Sequence, residues 1–120
     1  MTILLWAIQV LLAAHTAIGA IWKVSNSEEA VPTLSMIPHA GWLGLAVLEG
    51  IAAVLLVLPV VAGGAGRWVP LAAGFVALEM VAFVVLHLAG GARDMASPAY
   101  WAGVAVFALL IVWGRTVWPL

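Results

Sequence analysis

Two carboxylic acids stand where a membrane helix holds them only at a cost: Glu49 in the apolar run 41–62 and Glu79 in the apolar run 69–89. An acid at the centre of a spanning helix costs roughly 2.5 to 3.5 kcal/mol on insertion scales, so both side chains are expected to face other helices or a wet cavity. Each lies about ten residues into its run, which at 1.5 Å per residue puts both carboxyls near the bilayer middle. Like charges brought together out of water do not both ionise, so the pair is expected to keep at least one proton at neutral pH, the state of a general acid or proton carrier. His15, His39, His87 and Lys23 add donors to the same half of the membrane. The rise per residue sets His39 and His87 near one interface and His15 about 10 Å below it, close to the depth of Glu49. These residues describe a polar funnel open to one side, able to hydrogen-bond the oxygens of a ligand head. Glu79 and His87 are separated by about 12 Å of rise and 80° of rotation, so a proton relay between them needs water.

The same residues also admit simpler roles. A glutamate bonded to a backbone carbonyl or to Gln9 would act only as glue between helices. His15 and His87 differ in depth by about 7 Å, which argues against a haem iron held between them. No His/Glu pair has the i,i+3 or i,i+4 spacing of helical metal ligands, so no metal is expected.

The elements that must position these residues follow from composition. Of 120 residues, 67% are hydrophobic and 8% charged, and the mean hydropathy is +1.24. Soluble domains are near half apolar and a quarter charged. The apolar runs fall at about 2–22, 41–62, 69–89 and 99–118, each near the roughly 20 residues that cross a hydrocarbon core. The fold class expected is therefore all-α, an integral membrane four-helix bundle in one domain over 1–120, with short connections and one longer loop between helices 1 and 2. Pro70 and Pro98 suit a first helical turn, Pro38 precedes the second helix and Pro119 follows the fourth. Pro59 predicts an early end or a mild kink in the second. Trp22, Trp42 and Trp101 are expected at one interface and Trp6, Trp68 and Trp118 near the other. The long connection 23–40 has room for an interfacial helix, whereas 63–68 and 90–98 are tight. Ala46 with Gly50, and Thr16 with Ala20, give small-xxx-small spacing for close helix approach. The stretch from Gly44 to Glu49 is echoed from Gly74 to Glu79, which sets the two acids at matching positions of antiparallel helices.

Charge and cysteine content exclude whole classes. Lys23, Arg67, Arg93 and Arg115 are the fixed cations and the net charge is −1, so no basic patch exists for nucleic acid. Without cysteine there is no disulfide, thiolate metal site or thiol relay. The first run lacks the basic flank and cleavage site of a secretory signal and reads as a retained helix. Lys23 and Arg93 lie on one side, with Arg67, Arg115 and the terminal amine on the other; the expectation is both termini in the cytoplasm, with Glu28, Glu29 and Asp94 facing outward.

Three stretches together resemble the DoxX-like family of small four-helix membrane proteins: Gly19-Ala-Ile-Trp-Lys23, Gly41-Trp-Leu-Gly-Leu-Ala-Val-Leu-Glu49-Gly, and Glu79-Met-Val-Ala-Phe-Val-Val-Leu-His87-Leu. The resemblance covers most of the chain. It implies an accessory membrane subunit of quinone-linked oxidoreduction in a bacterial inner membrane, with quinone as the cofactor and a membrane or redox protein beside the lipid bilayer as partner. A homo-oligomer stays open. Lys23, Glu49 and His87 match polar positions of the family pattern, whereas Glu79 departs from it. On this reading His15, Lys23, Glu49 and His87 bind a quinone or similar lipid head. An alternative makes Glu49 and Glu79 the catalytic acid/base pair of an intramembrane enzyme on a terpenoid-like substrate, its developing cation faced by Trp42, Phe75, Phe83 or Trp101. A third is a small proton-coupled exporter, ranked last because such exporters carry their key acid in the first helix.

Overall fold

Prolines and chain reversals set the limits of four helices, α1 (Thr2–Ser25), α2 (His39–Val57), α3 (Val69–Ala89) and α4 (Ala96–Val117). The structure, a computed structural model, describes residues 2–26, 34, 37–91 and 95–118. Each of the four helices is long and apolar enough to cross a membrane. Glu28, Glu29, Arg93, Asp94 and Pro119 lie outside the described residues, as does half of the connection 23–40 expected to have room for an interfacial helix.

Several boundaries differ from expectation for identifiable reasons. α1 continues past residue 22 to Ser25 because no breaker intervenes and Lys23 is drawn inward. α2 begins at His39, directly after the extended Pro38 (φ −57°, ψ 146°), and stops at Val57 well short of residue 62. Pro59 has no N–H to continue the ladder, and the chain tightens into a 3-10 turn, Leu58–Val60. A second 3-10 segment, Gly63–Trp68, completes the reversal into α3, whose first turn holds Pro70. α4 starts at Ala96, ahead of the expected residue 99, with Pro98 in its first turn.

The helices run up and down in sequence order. α1 packs closely on α2 and α3 on α4, and the two hairpins meet more lightly along the α2/α3 and α1/α4 seams. The long dimension of 42 Å matches a bilayer with its headgroup regions. Polarity is reversed relative to a soluble protein. Leu11, Leu78 and Val85 belong to a large exposed apolar surface, while Gln9, Thr16, Lys23, Glu49, Glu79, His87 and Arg115 are buried. Water would not tolerate that exterior, whereas lipid requires it. The chain is a membrane protein.

The tryptophan belts need correcting. Trp22, Trp68 and Trp118 are partly exposed near helix ends, but Trp42 and Trp101 are 1% and 9% exposed and belong to the interior. Of the small-residue pairs, Thr16 and Ala20 are both buried, whereas only Ala46 of the other pair is, a Cβ at Gly50 meeting nothing. Tight approach occurs instead at Gly114, where a Cβ would overlap the Leu5 side chain.

The opposite half of the bundle contains a buried cation. Arg115 is 3% exposed, its Nε donating to Gln9 Oε1 and its guanidinium lying over the Trp6 ring at 5.4 Å. Gln9 Nε2 also donates to Leu56 O at 2.9 Å, a last-turn carbonyl of α2 that has no partner within its own helix. Gln9 thus joins α1, α2 and α4, and is not bonded to either glutamate. Gln9→Leu should destabilise the protein by about 2 kcal/mol, since a buried charged donor loses its acceptor. Denaturant unfolding in mixed micelles measures this, and adding Arg115→Met should recover most of the loss.

Candidate functional site

A cavity of about 340 Å³ opens between the two hairpins, in the half of the bundle that holds the C-terminal end of α1. Residues from all four helices line it, among them His15, Lys23, Glu49, Phe83 and Tyr100, with Leu34 closing part of the loop end. Its walls are mainly aromatic, and its polar groups converge from α1, α2 and α4. That combination of an apolar enclosure with a few fixed polar groups is the usual make-up of a small-molecule site, and the volume lies at the lower end of such sites.

Lys23 and Glu49 form its polar floor. The ammonium is 2.8 Å from Glu49 Oε1 and donates to Oε2 at 3.2 Å, with both side chains buried. It also stands 5.2 Å from the centre of the Trp42 ring and 5.1 Å from that of Phe83. A cation cut off from water is therefore held by one carboxylate and two π-faces. Gly19 adjoins this arrangement, a Cβ there coming to 3.4 Å from Glu49 Oε2, a close but ordinary contact. Trp42 fixes the end of α1 as well: its indole N–H donates to the carbonyls of Lys23 at 3.0 Å and Asn26 at 2.8 Å. The Lys23 carbonyl is one of the last four of α1, which the helix leaves without partners of its own, and Asn26 follows directly after it.

Glu79 stands behind this floor. It is 5% exposed, neither carboxyl oxygen has a hydrogen-bond partner among the described residues, and Glu49 and Lys23 are the charges that act on it. One ammonium thus stands against two carboxyl groups. Glu79 does not line the cavity, so the two expected members of an acid/base pair are neighbours with unequal access to a ligand.

His15 and Tyr100 face each other across the α1/α4 seam. The Tyr100 hydroxyl and His15 Nε2 are hydrogen-bonded, and the rings meet edge to face with centroids 5.3 Å apart. His15 Nδ1 is buried and lacks a partner among the described residues. His87 is not part of the cavity lining. It is buried edge-on against Trp101, centroids 5.5 Å apart, and Trp101 in turn packs on Phe83 at 5.6 Å. Phe75 is half-buried away from the cavity, and His39 is exposed at the start of α2.

Of the residues singled out in the sequence, His15, Lys23 and Glu49 thus meet in one cavity, Glu79 adjoins it, and His87 supports its wall. Tyr100 and the nearness of Gly19 to Glu49 have no counterpart in the sequence reading, while Trp42 and Trp101, expected at an interface and as cavity walls only under the enzyme alternative, face inward. Tyr100 is the chain's lone tyrosine, yet its relation to a histidine 85 residues earlier has no local signature. Compared with protein families, curated proteins and solved structures, the chain matches none.

Proposed function

We propose that this is a DoxX-like membrane protein that holds a quinone or a similar ring-headed lipid in the inter-hairpin cavity, as an accessory subunit of quinone-linked oxidoreduction. The observation that carries this reading is the convergence of Lys23, His15 and Tyr100 on one aromatic-walled cavity. Flat rings suit walls of Phe83, Trp42 and Trp101, and carbonyl oxygens suit as donors the Lys23 ammonium and the one N–H or O–H that the mutually hydrogen-bonded His15 and Tyr100 leave over. The residues therefore fit a quinone head. When bound, a quinone supplies paired electron and proton transfer. The chain's part is to orient the ring, exclude water, and hold the Glu49/Glu79 pair next to the donors. Placement in a bacterial inner membrane with both termini in the cytoplasm belongs to the same proposal, and it points the cavity mouth outward.

Mass spectrometry of the lipids retained by purified protein is the test. Wild type should retain an isoprenoid quinone, and Tyr100→Phe should retain on the order of tenfold less, the effect of one hydrogen bond to a bound oxygen. Equal retention, or no quinone in either, sinks the proposal. A second reading, an intramembrane acid/base enzyme on a terpenoid-like substrate, draws on the unpartnered carboxyl of Glu79 next to Glu49. It ranks lower because Glu79 would reach a substrate only through Glu49. A terpenoid retained in place of quinone, and lost from Glu49→Gln, would reverse that ranking.

A further inference from the structure

A separate apolar groove of about 200 Å³ lies on the α1/α4 seam, formed by Ile8, Leu11, Leu12, His15, Val104 and Phe107. His15 lines both this groove and the polar cavity, so the two are adjoining compartments separated by one imidazole. We propose that the groove takes the hydrocarbon chain of the ligand whose head occupies the cavity, and hence that the ligand is a single-chain amphipathic lipid admitted sideways from the bilayer. This inference rests on the head-binding reading above.

Three observations identify the occupant. First, polarity changes sharply at His15: the cavity is furnished with Lys23, Glu49 and Tyr100, whereas every other groove residue is aliphatic or aromatic. Second, the order along α1 is that of a lipid. Lys23 marks the interface end, His15 lies about 12 Å deeper, and the groove from residue 15 to residue 8 continues about 10 Å further from that interface. A lipid of that leaflet has its head and chain arranged in the same direction. Third, the groove is open to the bilayer, with Leu11 and Phe107 69% and 54% exposed, and it follows one of the two lightly packed seams. The hydrogen-bonded His15 and Tyr100 bridge that seam at the junction, so a head passing sideways must part them.

Photo-crosslinking in phosphatidylcholine nanodiscs tests the groove, using a decyl-chain benzoquinone with a diazirine in the chain. Adducts should map to residues 8–12 and 104–107, and Leu11→Trp, a change at a lipid-exposed position, should reduce them on the order of tenfold by displacing the chain from its contacts. Quenching of tryptophan fluorescence by the same benzoquinone without its chain, weakened in Tyr100→Phe, reports the head site alone. Adducts scattered over the exposed faces of α2 and α3, with that quenching intact, overturn the groove and leave the head site standing. Absence of Tyr100-dependent quenching overturns both.

Discussion

Lys23→Met should be among the most damaging substitutions in the chain, lowering stability by about 3 to 5 kcal/mol. The variant leaves Glu49 buried at 3% exposure without its cation, and a second buried carboxyl, Glu79, lies beside it. Two carboxyls close together in low dielectric are then left without the cation that offset their charge. The double variant Lys23→Met/Glu49→Leu should recover most of the loss, because the penalty belongs to the orphaned charge rather than to the missing contact. Unfolding of the purified protein in mixed micelles, with all three variants measured together, distinguishes these contributions. A wild-type-like Lys23→Met would mean that water in the cavity screens the pair, removing the dry floor on which the ligand site depends.

Trp42→Ala should have an effect of similar size, about 3 to 5 kcal/mol for loss of a large, completely enclosed side chain. The indole does three things at once: it fills the interface between hairpins, stacks under the Lys23 ammonium, and bonds two carbonyls at the end of α1. Trp42→Phe keeps most of the packing and the π-face and discards the N–H, so it should lose only about 1 to 2 kcal/mol. Thermal unfolding of the two variants checks the split. If Phe is as harmful as Ala, the hydrogen bonds dominate and the ring's contribution to the cavity wall is minor.

Much of the architecture was legible because lipid imposes a simple rule on sequence. Four apolar runs of spanning length, with prolines at their edges, define the helices, and Pro59 marks where α2 fails. The glutamates were legible for the same reason, since an acid in such a run must point inward. The partners of those acids were not. Lys23 stands at the end of its run, where a lysine ordinarily extends to the interface, and nothing local says that it folds back toward Glu49. Trp42 and Trp101 have the interfacial positions of belt residues, and only the packing of the hairpins shows that they face in. Arg115 and Gln9 are separated by 106 positions, and their bond depends on the α1/α4 seam, which no periodicity encodes.

The division into two hairpins also bears on how the protein enters a membrane. The Lys23–Glu49 pair lies wholly within the first hairpin, so this part of the chain can bring its cation and anion into lipid as a neutral unit before α3 is made. Glu79 then arrives beside a charge already balanced, and α4 comes last, bringing Arg115 to Gln9. Biogenesis of the first half is therefore self-sufficient in charge, whereas the second half needs the first in place to shelter its acid and its arginine. A chain whose halves were synthesised in reverse order would expose both of those groups to lipid before either had a host.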